Sequence, residues 1–196
     1  MPQLDLFAAE PALPGLAVAD GLLSADERET LAAAIDAAPL QPFRFQQWTG
    51  LRLTASYGWH YDFETGRVGR AEPMPDWLLE LRDRAAAFAA LPPASLVQAL
   101  LIRYDPGAGI GWHRDRPVFE HVVGLSIGAP ATLRFRRRRA ERFDRFALPL
   151  VAGGAYHLSG EARWDWEHSI APMASPRHSI TFRSLTERFA RSLSDR

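Results

Sequence analysis

The sequence predicts an α+β fold in which helices back one face of a β-sandwich or jelly roll. Three observations lead there. Helical periodicity is confined to the N-terminal half, strand-like runs punctuated by glycine and proline fill the remainder, and no repeat or low-complexity linker divides the 196 residues. With 47% hydrophobic residues, a chain of this length can bury one substantial core, so a single domain over 1–196 is expected.

The first element is signalled by Ser24-Ala25-Asp26-Glu27, which has capping-box spacing. Leu31, Ala34, Ile35 and Ala38 continue it with helical periodicity until Pro39. From 41 to 61 aromatic and small residues alternate irregularly, as in strands, and Gly66, Gly69, Pro73 and Pro75 then read as a loop. Residues 76–90, with Trp77, Leu78, Leu81, Ala85 and Phe88, form a second amphipathic pattern that ends before Pro92-Pro93. Candidate strands follow at 96–104, 121–127, 132–136, 143–150, 155–158 and 178–182.

Composition narrows the chemistry. The formal net charge is zero, so no global field argues for nucleic acid, membrane or an acidic partner. Cysteine is absent, which excludes disulfides and thiolate ligands, and any metal must be held by nitrogen and oxygen. All 23 cationic side chains are arginine, and lysine and asparagine are both missing. That pairing points to GC-rich coding, so the position of an arginine carries more information than the number of them. The first ten residues hold acids and nothing like a secretory leader, and no apolar run has membrane length. A cytoplasmic protein without membrane association, working as a monomer, is the expectation.

The chemistry-bearing constellation is His113-Arg114-Asp115, followed after 52 intervening residues by His168 and then by Arg177 and Arg183. Two imidazoles and one carboxylate can hold iron(II) on one face and leave the other positions open for a co-substrate and dioxygen. In a strand or strand end, His113 and Asp115 project to the same side, while Gly109 and Gly111 let backbone approach closely. The plain alternative is a set of ordinary polar residues near turns. If residues 177–183 are extended, Arg177, Ser179, Thr181 and Arg183 share one face, and Ile180 and Phe182 enter the opposite layer. One arginine and the Ser179 hydroxyl would then grip a dicarboxylate. Here the alternative is a half-exposed edge strand with solvated arginines.

With these residues in order, the chain resembles the AlkB family of iron(II)- and 2-oxoglutarate-dependent dioxygenases. The resemblance is carried by Tyr104-Asp105-Pro106-Gly107, Gly111-Trp112-His113-Arg114-Asp115, Gly124-Leu125-Ser126-Ile127-Gly128, Ser159-Gly160-Glu161-Ala162-Arg163, His168, and Arg177 through Arg183, with weaker similarity from Thr54 to Phe63. It implies a double-stranded β-helix (jelly roll), with 1–95 supplying N-terminal helices and a substrate lid and 96–190 the core. It further implies His113, Asp115 and His168 as the Fe(II) ligands and catalytic centre. Arg177 would sit on the distal carboxylate of 2-oxoglutarate with Tyr104 assisting, and Arg183 would lie near the oxo-acid end. With dioxygen as second co-substrate, the products would be succinate, carbon dioxide and a hydroxylated carbon; an N-methyl carbon so oxidised leaves as formaldehyde. Two positions depart from the family pattern. Ile102 stands where an asparagine often binds the oxo-acid, and Pro117 stands where nucleic-acid-repair members often carry an acid.

The substrate implied is alkylated single-stranded DNA or RNA, as in repair by dealkylation. The alternatives are an AlkB-like hydroxylase or demethylase of a protein or small molecule, and a nucleic-acid binding module without catalysis. Trp48, Tyr57, Trp59 and Tyr61 lie where the family builds its lid, and either grip a base or pack the N-terminal layer. Tyr57 and Trp59 are the candidates there. Arg114 and Arg116 either face the opening or pair with an acid such as Glu120. Arg134, Arg136, Arg137, Arg138 and Arg139, with Arg142 and Arg145, form a basic hairpin able to meet phosphates. Trp164 and Trp166 are read as braces for the strand carrying His168, and His60, His121, His157 and His178 as structural or peripheral.

Overall fold

The computed structural model describes residues 13–45, 48–62 and 66–194. In chain order it contains β1 (Leu16–Ala19), α1 (Ala25–Asp36), β2 (Gln41–Phe45), β3 (Trp48–Tyr57), β4 (Trp59–Tyr61), β5 (Val68–Arg70) and α2 (Asp76–Phe88). A 3-10 turn at Pro93–Ser95 leads into β6 (Leu96–Tyr104), β7 (Ile110–His113), β8 (Phe119–Gly128), β9 (Ala131–Arg139), β10 (Arg142–Leu150) and β11 (Ala155–Leu158). The chain closes with α3 (Gly160–Trp164), β12 (Glu167–Ile170), β13 (Arg177–Leu185) and α4 (Glu187–Ser194). The sequence reading of residues 1–10 falls outside the described residues, as does the Trp48 side chain.

The strands form a seven-stranded antiparallel sheet in the order β1-β11-β8-β13-β6-β3-β2 and a four-stranded sheet in the order β10-β9-β12-β7. This is the jelly roll expected, with helices on one face. One apolar core lies between α1, α2 and the large sheet, where Ile35, Leu78, Leu81 and Ala85 meet Val123, Leu125, Ile127, Ile180 and Phe182. A second fills the space between the sheets, with Ile102, Tyr104, Val122, Leu133, Phe135, Leu148 and Trp166. Period-two alternation explains the division: Ile180 and Phe182 point to the helices, whereas Arg177, Ser179, Thr181 and Arg183 point between the sheets. Each large apolar side chain so buried contributes about 1.5–3 kcal/mol.

Both predicted helices form. Ser24 and Glu27 make the reciprocal capping box, with the Ser24 hydroxyl accepting from the Glu27 backbone and Glu27 accepting from the Ser24 backbone at 2.7 Å. α1 is fixed to the sheet where His178 Nε2 meets Asp36 Oδ1 at 2.8 Å and Arg103 meets the same oxygen at 3.2 Å.

Several expectations need correction. Gly69 is not in a loop, because β5 pairs with β4, Gly69 opposite His60. The N-terminal half supplies more than helices and lid: β1, β2 and β3 all join the large sheet. The edge-strand alternative for residues 177–183 fails, because β13 lies between β8 and β6. The short elements β1, β7 and β12 and the helices α3 and α4 carry too few periodic residues to announce themselves.

Candidate metal centre

β7 and β12 are adjacent antiparallel strands of the small sheet, and their register sets His113 directly opposite His168. The two rings lie 4.3 Å apart, centroid to centroid. Asp115 is not on the strand itself, because β7 ends at His113 and the carboxylate comes from the loop that follows. One ligand atom from each of His113, Asp115 and His168 lies within 4.8 Å of the others. The close approach expected of Gly109 is present, since a Cβ there would fall 2.8 Å from the Ile170 carbonyl oxygen. Gly111, by contrast, has open space beside it, and its contribution is a carbonyl group. That carbonyl lies 2.9 Å from His113 Nδ1, which must be the protonated nitrogen, leaving the Nε2 lone pair for a ligand.

The electrostatics favour a metal over protons. Burial lowers the pKa of His168 to about 3, with His113 adding to the effect, and burial likewise lowers His113. Burial, the largest single influence, raises the Asp115 carboxyl, but its neighbours together, Arg183 foremost, outweigh it and hold the group below its ordinary range. Arg183 places Nε at 2.8 Å and a terminal nitrogen at 2.7 Å from Asp115 Oδ1. The other oxygen, Oδ2, is buried without a hydrogen bond, 3.5 Å from His168 Nε2. Two neutral imidazoles and an ionised carboxylate with a spare oxygen are the donor set of a divalent-cation site.

Deeper between the sheets lies Arg177, 1% exposed, with Tyr104 and Gly128 as its strand neighbours. It donates to the Ser126 hydroxyl at 2.7 Å and the Ala129 carbonyl at 3.0 Å, and its Nε has no partner. Ser179, buried on the same face, sits opposite Ser126 and Ile102. A buried cation with an unused donor and no carboxylate partner among the described residues is a site for an anionic ligand.

A model of a protein family described as the 2OG-Fe(II) oxygenase superfamily matches residues 15–190. The chain belongs to that superfamily. Among its relatives is the alkylated DNA repair protein ALKBH8 homolog of Arabidopsis thaliana, 28% identical over 203 residues, which cover 90% of this chain and 55% of that protein. The alpha-ketoglutarate-dependent dioxygenase AlkB of Escherichia coli strain K12 is 31% identical over 112 residues, 55% of this chain and 50% of that one. The solved structure of OsALKBH1 shares the fold, with a TM-score of 0.67 at 15% identity over 89% of this chain and 99% of that chain. The chain is thus an oxygenase of the AlkB family, and it spans from about a quarter to about half the length of the curated relatives it matches. The superfamily uses Fe(II), 2-oxoglutarate and dioxygen, and the triad and Arg177 described above fit the first two.

Around this oxygenase centre the structure brings together more than the sequence announced. Arg52, 9% exposed, extends from β3 and interacts electrostatically with Tyr104, Arg183 and Asp115, its guanidinium stacked 3.8 Å over Phe43. Its only trace in the sequence is the polar alternation Arg52, Thr54, Ser56. Ser126 and Tyr156 were also passed over, although Ser126 provides the hydroxyl that meets Arg177. Among the proposed substrate residues, Tyr57 packs into the core beneath the helices, and Trp59 stacks on Arg70 at 4.8 Å in the β4-β5 ribbon. Arg114 donates to the Trp164 carbonyl at 3.2 Å rather than pairing with Glu120, and Arg116 stacks 4.9 Å over Tyr61. Trp166 braces the inter-sheet core as expected, but Trp164 is 38% exposed on α3. In the β9-β10 hairpin, Arg136 pairs with Glu167, Arg137 with Glu161, and Arg139 with Asp144. Three of its seven arginines are therefore paired with acids. Among the described residues, no helix is long and apolar enough to cross a membrane.

Proposed function

We propose that this protein is an oxidative dealkylase of alkylated bases in single-stranded DNA or RNA. The observation that carries the reading is the pairing of an ionised, half-satisfied carboxylate beside two neutral histidines with a buried arginine that has no counter-ion among the described residues. His113, Asp115 and His168 hold the metal, Arg177 binds the distal carboxylate of 2-oxoglutarate, and Tyr104 and Ser179 line that end. Arg183 fixes Asp115 in one orientation and stands beside the oxo-acid. Bound iron, with 2-oxoglutarate and dioxygen, supplies the oxidising equivalents, and the co-substrate leaves as succinate and carbon dioxide. The residues themselves bind, orient and exclude water. In this reading Phe43 of β2 and Arg52 of β3, with Trp59, Tyr61 and Arg114, would meet the target base, and aromatic faces suit an unstacked base. The relatives named for alkylated DNA repair and for RNA or DNA demethylation support this substrate class.

The test is formaldehyde release measured side by side on methylated single-stranded DNA, methylated RNA, nucleosides and methylated peptides. Oligonucleotide turnover with formaldehyde equal to succinate is the expected result. Peptide turnover with inert oligonucleotides would overturn the substrate reading, while succinate without formaldehyde is uncoupled turnover and counts against all four substrates.

A further inference from the structure

The inner face of the large sheet carries a second tyrosine, Tyr156 on β11. It sits opposite Gly124 of β8, and Gly124 in turn is opposite Thr181 of β13. The ring lies across the glycine: a Cβ added to Gly124 would fall 2.2 Å from Tyr156 Cζ, 2.4 Å from Cε1 and 2.5 Å from the hydroxyl oxygen. Any other residue at 124 would close that path. The hydroxyl is thus carried over β8 towards the middle of the pocket, within electrostatic reach of Tyr104, Asp115, Arg183 and Arg177. Those four groups span the space between the metal carboxylate and the buried arginine.

The β6 side of the same inner face is apolar one row away. Ile102, 6% exposed on β6, occupies the next row of the inner face, opposite Ser179, and offers no donor. Between Arg183 and Arg177 the β13 row supplies the Ser179 and Thr181 hydroxyls, and the β11 side adds the phenol of Tyr156. Burial pushes the phenol up to about 12, so it keeps its proton at any working pH.

We propose that the Tyr156 hydroxyl donates a hydrogen bond to the oxo-acid end of bound 2-oxoglutarate, and that Gly124 is the residue that admits it. This rests on the reading of the pocket as a 2-oxoglutarate site. The experiment is anaerobic calorimetric titration of Mn(II)-loaded protein with 2-oxoglutarate, after Mn(II) affinity has been measured on the same samples. Tyr156→Phe should weaken 2-oxoglutarate roughly 10- to 100-fold, the loss of one hydrogen bond to a charged group, and leave Mn(II) affinity and melting temperature unchanged. Gly124→Ala, which displaces the ring, should weaken it similarly, and the double variant no further than either alone. Unchanged affinity in Tyr156→Phe, additive losses in the double variant, or an equal loss of Mn(II) affinity would overturn the proposal while leaving the oxygenase reading intact. A folded wild-type protein that fails to bind 2-oxoglutarate would overturn both.

Discussion

Replacing Arg183 by methionine keeps most of the side chain's apolar volume and removes the cation that faces Asp115. The pair is buried, with side chains 12% and 6% exposed and two nitrogens at 2.8 and 2.7 Å from Oδ1. Removing one partner of such a pair strands the other charge, a loss of about 3–5 kcal/mol in the metal-free protein at neutral pH. The pH dependence follows from Asp115. In the wild type its pKa is depressed, so its contribution to stability is present above the unfolded value of 3.8 and lost as pH falls through the lower folded value. Without Arg183, and with both histidines neutral, Arg163 is left to oppose burial, which is the larger of the two; the folded value rises instead, and stability falls as pH rises from about 4. The deficit of the variant should therefore grow from pH 4 to pH 7 in urea denaturation with chelator present. Added Mn(II), which neutralises the carboxylate in place of arginine, should shrink it. A deficit below about 1 kcal/mol at pH 7, or one that does not vary with pH, would refute the assignment of Arg183 as the group that keeps Asp115 charged.

Three further predictions concern other parts of the molecule. Because His168 titrates near pH 3 and His113 is also lowered, metal affinity should be nearly constant between pH 6 and 8; a tenfold fall over that range, read by Mn(II) titration, would contradict neutral ligands. Arg177→Met should leave metal-free stability unchanged or higher, since a buried cation with an unpartnered Nε is removed, yet weaken 2-oxoglutarate at least roughly 100-fold by calorimetry. His157 is lowered to about 4 by burial and by His121, whose Nδ1 lies 3.0 Å away, so its contribution is lost as pH falls from about 6.5 to 4. His157→Phe should flatten the stability profile in that window by up to about 3 kcal/mol, and an unaltered slope would show that His157 takes up its proton as freely folded as unfolded.

What the sequence made legible was whatever is written in local spacing. Arg177 to Arg183 alternate along one strand and Ser24 to Glu27 form a cap, and each of these required only the period of its own element; His113 and Asp115 were legible from their spacing of two residues, although Asp115 lies past the end of β7. Residues whose place depends on strand order were hidden. Arg52 reaches the site because β3 pairs with β6 and sets Leu53 beside Arg103, and Tyr156 does so because its neighbour on β8 is glycine. No reading of either strand alone contains that register. The same reason explains why β13 was open to interpretation as an edge strand, and why Gly109 and Gly111 looked equivalent although only the first meets a neighbouring backbone.

The central claim is tested most directly by anaerobic titration of the metal-free protein with Fe(II), followed by 2-oxoglutarate. The account predicts stoichiometric iron binding that disappears in Asp115→Ala, and 2-oxoglutarate binding that requires both the metal and Arg177. A well-folded protein that takes up neither, or whose iron binding survives the loss of Asp115, would contradict it.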